Sequence, residues 1–205
     1  MYEKVGRRKI DEAKIPLRLE IDSFISFVRD KHAKKDSWEK QPINSDESQN
    51  SKIQVLIEEW HQTSWPYFEV TIVNDTYPKL KTVFASEKSI SAANADEIFE
   101  ALCTLHSFHD RLRFYPGGLK TLKQEFHGKN DISKVKESLT YLIYGSTEIV
   151  DRMANLIFNS SYKLNVFGQA NVQEMIGWLN KEELPVINGR TTKILRFFGF
   201  DVRQL

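Results

Sequence analysis

Residues 131–158 read DISKVKESLTYLIYGSTEIVDRMANLIF, which is the longest helical pattern in the chain. This pattern has an apolar side chain at every third or fourth position: Val135, Leu139, Leu142, Ile149, Met153 and Leu156. Such spacing places them on one face of a helix that is buried against other elements. Asp131 or Ser133 is suited to cap its first turn. Gly145 and Ser146 in its middle argue against a sustained coiled coil, so we predict one core helix of a bundle.

Patterns of the same period on both sides of this stretch predict further helices. The upstream helices are interrupted by a polar loop over about 34–52, and they cover about 17–33, 51–63, 94–112 and 118–126. Downstream, one helix runs through residues 175–179 and a last helix follows Asn188. Asn94 and Asn188 carry short polar side chains that suit a helix N-cap. Gly199 is suited to end the last helix.

One part of the chain changes to a period of two. Apolar and polar side chains alternate in Tyr67–Asp75, and Lys79–Ala85 offers a second strand after a turn at residues 74–78. We therefore predict a mainly α protein, which is a helical bundle with a small β-hairpin. The helices and hairpin of residues 1–92 form an N-terminal sub-domain, and a helical sub-domain follows at 93–205.

The composition indicates a folded protein outside the secretory and membrane classes. Of the 205 residues, 40% are hydrophobic and 12% aromatic, which is enough for a sizeable core. The N-terminus has no apolar signal region, and no apolar run reaches the roughly 18 residues of a membrane span. The single cysteine, Cys103, cannot form an internal disulfide. We predict a cytoplasmic protein in which Cys103 is a buried structural thiol.

Charge is distributed unevenly, although the net charge of the chain is only +1. From Cys103 to Leu205 there are 14 Lys and Arg against 10 Asp and Glu, whereas the remainder has 15 against 18. The second part is therefore modestly basic (+4) and the first modestly acidic (−3).

No complete catalytic constellation is present in the sequence. A phosphate-binding Gly-x-x-x-x-Gly-Lys-Ser/Thr loop, a Gly-x-Ser-x-Gly elbow and a Gly-x-Gly-x-x-Gly fingerprint are all lacking. His106 and His109 lie three apart, with His127 as a third metal ligand if the chain folds back, but structural histidines are the favoured interpretation. Cys103 and His106 lack an orienting group for nucleophilic catalysis. We predict no metal, no cofactor and no catalysis in this chain.

Two segments near the C-terminus carry a resemblance. Residues 164–168 read LNVFG, and residues 184–199 read LPVINGRTTKILRFFG. The first resembles the Leu-Pro-Gly-Val-Gly hairpin of the helix-hairpin-helix DNA glycosylases. The Pro-Val and Phe-Gly pairs of the second resemble the edges of another segment of that family, Pro-Val-Asp-Thr-His-Val…Arg-Leu-Gly. In the family the hairpin holds a DNA phosphate with backbone amides, and the Asp after Pro-Val is the catalytic carboxylate.

The positions that would carry the chemistry of that family differ in this chain. Val166 replaces the first hairpin glycine, which weakens the tight turn. Ala170 stands where many members have a lysine, and Asn188 lies near the place of the catalytic Asp. An amide cannot act as a general base or stabilise a developing cation as a carboxylate does. The resemblance therefore implies a scaffold that binds DNA without its own catalysis.

The pattern Trp-Leu-Asn…Leu-Pro-Val-Ile-Asn-Gly-Arg-Thr-x-Lys-x-Leu-Arg-x-x-Gly at 178–199 also resembles segments of bacterial restriction and phage-defence proteins. These include N-terminal regions of modification-dependent restriction motors of the McrB type. The resemblance implies a non-catalytic DNA-binding module of a restriction or anti-phage defence system. Its implied partners are double-stranded DNA, unmodified or modified, and a motor or nuclease domain or subunit. Two alternatives stay open: a helical protein-interaction or regulatory domain, and a divergent DNA nuclease or glycosylase.

The candidate DNA-binding residues fall into three groups. The hairpin and the last helix contribute polar and basic side chains that suit phosphates at helix N-termini: Lys163, Asn165, Gln169, Asn188, Arg190, Thr191, Lys193 and Arg196. A second basic patch surrounds Pro116-Gly117-Gly118 and contributes Arg111, Arg113, Lys120 and Lys123. Trp38 lies in a polar loop among lysines, where it suits stacking on a base or folding back on the core.

Overall fold

The computed structural model describes residues 17–33, 42–63, 75, 77–179, 184 and 188–202. Within these residues the chain has eleven α-helices and no strand, which confirms the predicted mainly α class. The helices are α1 (Leu17–Val28), α2 (Asp46–Gln62), α3 (Tyr77–Val83), α4 (Glu87–Ala92), α5 (Ala95–Leu102), α6 (His106–His109), α7 (Gly118–Lys129), α8 (Ile132–Tyr144), α9 (Ile149–Phe158), α10 (Gln169–Leu179) and α11 (Gly189–Phe197). A π-helical turn, Arg29–Ala33, follows α1, and a 3-10 helix, Asp110–Phe114, follows α6.

The chain forms two compact units. The first comprises Met1–Val73 and Glu183–Leu205, and the second comprises Asn74–Glu182. These bounds differ from the predicted division at residues 92 and 93. The reason is that α11 packs on α1, whereas α3 packs on α5 and α4 packs on α8.

The core of the first unit joins helices from opposite ends of the sequence. Phe24 of α1 stacks on Phe198, with ring centroids 6.4 Å apart, and meets Trp60 of α2 edge-on. All three side chains are fully buried. The amphipathic pattern of α1 explains its role, because residues three and four apart share one helix face. The other buried apolar side chains of this core are Ile21, Ile25, Phe27, Val28, Ile53, Leu56, Ile57, Ile194 and Phe197.

Backbone contacts close the first unit at Gly199. The amide of Asn44 donates to the Gly199 carbonyl at 3.0 Å, and the buried side chain of Gln49 donates to the same carbonyl at 3.1 Å. Gly199 has φ +94°, and a Cβ there would overlap Asn44. A glycine is therefore required where α11 ends, both for the left-handed backbone and for the close approach.

The core of the second unit is an aromatic cluster, defined as Phe99, Phe108, Phe126 and Phe167. Phe108 lies 5.8 Å from Phe99, 5.7 Å from Phe126 and 6.1 Å from Phe167, measured between ring centroids. All four rings are at most 1% exposed. Three of them come from α5, α6 and α7, and Phe167 comes from the turn before α10. The cluster therefore anchors that turn to the helices.

The predicted strand Lys79–Ala85 is wrong, because most of this segment belongs to the helix α3, which spans Tyr77–Val83. Pro78 lies in the first turn of α3, where its fixed φ favours a helix and its missing amide costs nothing. Leu80, Val83 and Phe84 are three and four apart, and Leu80 and Phe84 are buried. The apolar side chains that were interpreted as a strand pattern therefore lie on one buried face of a short helix. The predicted strand Tyr67–Asp75 lies outside the described residues except for Asp75.

The predicted single helix over 131–158 is also wrong, because it divides into α8 and α9. Asp131 caps α8 as expected, and its carboxylate accepts from the amide of Ser133 at 2.8 Å. The break occurs where Arg152 reaches back to the end of α8. Its guanidinium donates to the carbonyls of Leu142 at 2.8 Å and Thr147 at 2.9 Å. Arg152 thereby gives a side-chain donor to the carbonyl of Leu142, in the last turn of α8, and to that of Thr147, in the connection to α9.

Breaks and caps elsewhere follow local chemistry. Asn94 caps α5 in a capping box with Glu97, which confirms the predicted start of that helix. The predicted helix over 94–112 is, however, three shorter elements, because the extended backbone of Leu105 separates α5 from α6. Across the described residues, the helices fall short of the length and apolarity that crossing a membrane requires.

Candidate nucleic-acid interface

The turn at residues 164–168 joins α9 to α10 and holds the helix-hairpin-helix resemblance. Leu164 and Phe167 form an isolated antiparallel bridge, and both side chains are buried. Val166 between them has φ +67°, in the left-handed region. A β-branched residue is uncommon there, since its Cβ crowds the following carbonyl. The turn thus takes a glycine-like conformation at the position where the resembling hairpin has its first glycine.

Asn130, the residue that ends α7, fixes this turn from one side. The amide of Asn165 donates to Oδ1 of Asn130 at 2.7 Å, and Nδ2 of Asn130 donates to the carbonyl of Asn165 at 3.0 Å. The same Nδ2 donates to the carbonyl of Phe126, and Asn130 is only 6% exposed. The side-chain Nδ2 of Asn165 donates to the carbonyl of Lys129. Asn165, a predicted DNA contact, therefore has a structural role in this turn.

A second polar network fixes the start of α10 against α6. The amide of Gly168 donates to Oδ1 of Asn171 at 2.9 Å, and Nδ2 of Asn171 donates to the Ser107 hydroxyl at 3.0 Å. The carboxylate of Glu174 accepts from the amides of His106 at 2.8 Å and Ser107 at 2.7 Å. An anion at the first amides of α6 satisfies donors that the helix itself leaves open. The orientation of α6 relative to α10 is set by these contacts.

This arrangement brings Arg111 to the turn. Arg111 lies in the 3-10 helix after α6, and its guanidinium is 3.5 Å from where a Cβ on Gly168 would stand. Lys163 and Gln169 are exposed on either side of the same turn. The structure therefore brings together three predicted DNA contacts, Arg111, Lys163 and Gln169, around residues 164–168.

The other cations of the predicted basic patch are partly engaged with carboxylates. Arg113 contacts Asp110 at 3.2 Å in an exposed pair. Lys123 is half-buried, contacts Asp96 at 2.9 Å and lies over the Phe99 ring. Lys120 is exposed in the first turn of α7. Lys123 thus acts in the packing of α7 on α5, while Arg113 and Lys120 present charge at the surface.

The predicted contacts in α11 belong to the first unit and have internal partners. Arg190 donates to both carboxylate oxygens of Asp22, at 2.8 and 2.6 Å. Asn188 caps α11 by accepting from the amide of Thr191 at 3.0 Å, which confirms the predicted cap. Arg196 donates to the carbonyl of Phe200. Lys193 is exposed. Trp38 lies outside the described residues.

Sequence reasoning missed the positioning residues Asn130, Asn171 and Glu174. Asn171 follows Gly168 by three positions, which is the spacing of a capping box and is a signal that could have been found. Asn130 and Glu174 reach segments 35 and 68 residues away, and no local pattern encodes such pairings. The interface is therefore built by polar side chains that do not themselves belong to the resemblance.

The described residues hold no cluster of three or more His, Cys, Asp or Glu side chains suited to a metal ion. Cys103 is half-buried at the end of α5. Burial, reinforced by the charge of Glu100, raises the pKa of the Cys103 thiol to about 12. A nucleophilic cysteine needs the opposite shift, because the thiolate is the reactive form.

Cys103 is therefore expected to react slowly with thiol reagents in the folded protein. At pH 8 a thiol of pKa about 12 has roughly a thousandfold less thiolate than one near its ordinary value. The rate of reaction with a chromogenic disulfide, measured at pH 8 with and without 6–8 M urea (about the range that unfolds such domains), tests this. Labelling of folded and unfolded protein at rates within tenfold of each other would contradict the expectation.

No protein-family model, curated protein or solved structure matches this chain.

Proposed function

We propose that this chain is a non-catalytic DNA-binding module that holds phosphates of double-stranded DNA at the turn 164–168. The observation that carries the proposal is the left-handed conformation of Val166 in a turn that leads directly into α10, with the Arg111 guanidinium against Gly168. The conformation of Val166, at the place of the first glycine of the resembling hairpin, supports this proposal.

The chemistry of this surface suits a phosphate. The N-terminal end of an α-helix carries partial positive charge and amides that the helix leaves open. The amide of Gly168 is already bonded to Asn171, so the expected donors are the amides of Gln169 and Ala170. Arg111 and Lys163 add full positive charges. Contacts of this kind hold the DNA backbone and carry no sequence preference.

The proposed surface is held in place before any ligand arrives. Asn130 and Glu174 fix the turn and α6 through hydrogen bonds of 2.7 to 3.0 Å. Little conformational entropy is therefore lost when a phosphate binds, which favours affinity. In the proposed restriction or anti-phage defence system, a motor or nuclease domain or subunit supplies the chemistry that Ala170 and Asn188 lack.

The test is fluorescence anisotropy with a labelled duplex over a series of salt concentrations. We expect the double variant Arg111→Glu with Lys163→Glu to bind at least tenfold more weakly. Each lost phosphate contact should make the negative slope of log K against log salt shallower by about 0.9. Lys79→Glu with Lys88→Glu, at exposed lysines of α3 and α4, is the matched control for two reversed charges.

Two results would count against the proposal. One is no binding of the unaltered protein to any duplex, methylated or unmodified, at low salt. The other is that Arg111→Glu with Lys163→Glu binds as tightly as the control Lys79→Glu with Lys88→Glu. Arg190→Ala is a poor probe of DNA contact, because it also removes the bidentate partner of Asp22.

A helical protein-interaction domain is the second candidate, and exposed apolar side chains of α9 favour it. Val150 is 68% exposed and Phe158 is 77% exposed, and exposed apolar groups on a helix are suited to a protein partner. Two results together would support this candidate over the first. The unaltered protein would fail to bind DNA, and the double variant Val150→Ser with Phe158→Ser would lose self-association or binding to a protein partner.

A further inference from the structure

The turn Tyr115–Gly118 is locally fixed by three features. The amide of Gly118 donates to the carbonyl of Tyr115 at 2.8 Å, which closes a four-residue turn. Pro116 presets the backbone at the second position, and Gly117 at the third has φ −82° and ψ 7°, as in a type I turn. A Cβ at Gly117 would overlap the Thr121 hydroxyl. This turn is therefore a defined platform rather than a variable loop.

Two large apolar side chains flank this platform and face solvent. Phe114 precedes the turn and is 65% exposed, and Leu119 follows it and is 49% exposed. Both are adjacent in sequence to this hydrogen-bonded turn. An apolar pair displayed at such a turn, outside the core, favours a ligand with apolar surface.

The charges around this pair indicate the ligand class. The Arg113 guanidinium lies over the Phe114 ring, 4.8 Å from its centroid. Lys120 follows Leu119 directly, and the first turn of α7 has no side-chain cap. An aromatic ring with one face on a guanidinium offers its other face for stacking. A ligand that supplies flat apolar rings together with negative charge matches this arrangement, and nucleic-acid bases with their phosphates do so.

We propose that Phe114 and Leu119 bind unpaired bases, so that the chain prefers DNA containing a bulge or single-stranded segment over a perfect duplex. This inference rests on the proposed DNA-binding function and adds a second, base-directed contact to it. In a perfect duplex the faces of each base are covered by neighbouring bases, so Phe114 could stack only after the duplex is opened. An unpaired base can stack on Phe114 without opening of the duplex. Lys120 and Arg113 then hold the adjoining phosphates.

The experiment compares binding of three labelled DNAs by fluorescence anisotropy: a perfect duplex, the same duplex with one bulged adenine, and a single strand. The unaltered protein is expected to bind the bulged duplex more tightly than the perfect one. Phe114→Ala should reduce that ratio about tenfold, within the range that loss of one base-stacking contact produces. Phe114→Tyr should restore it, because tyrosine keeps the aromatic face. Replacing the bulged adenine with 2-aminopurine gives a direct signal, since stacking quenches its fluorescence.

Val55→Ala is the control, because Val55 is apolar and 62% exposed but lies in α2 of the first unit. If Phe114→Ala keeps the ratio of the unaltered protein, the base-directed contact is overturned while phosphate binding at the turn 164–168 stands. If no DNA binds, both proposals are overturned. Binding to vesicles of anionic lipid that depends on Phe114, with no preference among the three DNAs, would also overturn the inference in favour of a membrane surface.

Discussion

Phe108→Ala is expected to lower the free energy of unfolding of the second unit by about 3–5 kcal/mol, the range seen when a large aromatic side chain is removed from a core. Phe108 is fully buried and contacts three other rings of the aromatic cluster. The cavity left behind cannot close easily, because each neighbour is held by a different element. Urea unfolding followed by far-ultraviolet circular dichroism measures the change.

The matched control for this substitution is Phe158→Ala, which removes the same side chain from a position that is 77% exposed. A change within about 0.5 kcal/mol is expected there. Equal effects of the two substitutions would contradict the described packing. Because Phe108 contacts Phe167, the Phe108 variant should also speed amide hydrogen exchange in the turn 164–168, and the control should leave it unaltered.

Arg152→Ala is expected to destabilise the second unit by about 2–4 kcal/mol, from the loss of two charge-assisted hydrogen bonds. Arg152 is 3% exposed and joins the end of α8 to the start of α9 through the carbonyls of Leu142 and Thr147. Its loss leaves two carbonyls with one fewer donor and removes the packing of its stem. Thermal unfolding by calorimetry or circular dichroism gives the size of the effect.

Two companion variants separate the causes. Arg152→Met keeps most of the apolar stem. It should therefore be more stable than Arg152→Ala by the contribution of stem packing alone, and still less stable than the unaltered protein. Arg152→Lys keeps the charge but lacks the planar fork that reaches two carbonyls in different directions. If Arg152→Lys were as stable as the unaltered protein, the paired hydrogen bonds would not be what holds α8 and α9 together.

Helical periodicity and capping chemistry were enough to predict much of the fold. α1 and the caps at Asn94, Asp131 and Asn188 follow from local sequence, because spacing and capping act within a few residues. The strand predicted at Lys79–Ala85 failed because a seven-residue helix and a strand can show similar alternation over so short a window. Arg152 lies against Gly145 at the break and bonds to the carbonyl of Leu142, and only the folded structure shows these contacts.

The residues of the candidate interface were proposed from the sequence, whereas the side chains that fix them in place were not. The sequence identified the turn 164–168 and the cations Arg111 and Lys163, and the structure places Arg111 at that turn. No sequence pattern indicated that Arg190 is paired with Asp22, since the two residues lie 168 positions apart. Long-range pairings of this kind decide which polar side chains are structural, and no local pattern reports them.

The pairing of α1 with α11 has a consequence for synthesis of the protein. The ion pair between Asp22 and Arg190 can form only after a further 168 residues have been translated. At ordinary rates of translation this interval lasts roughly 10–30 s. During that time Phe24 and Trp60 lack the stacked and packed partners that α11 and Phe198 provide. The second unit, Asn74–Glu182, is complete in sequence before α11 leaves the ribosome, so it can fold while the apolar face of α1 still lacks its C-terminal partners.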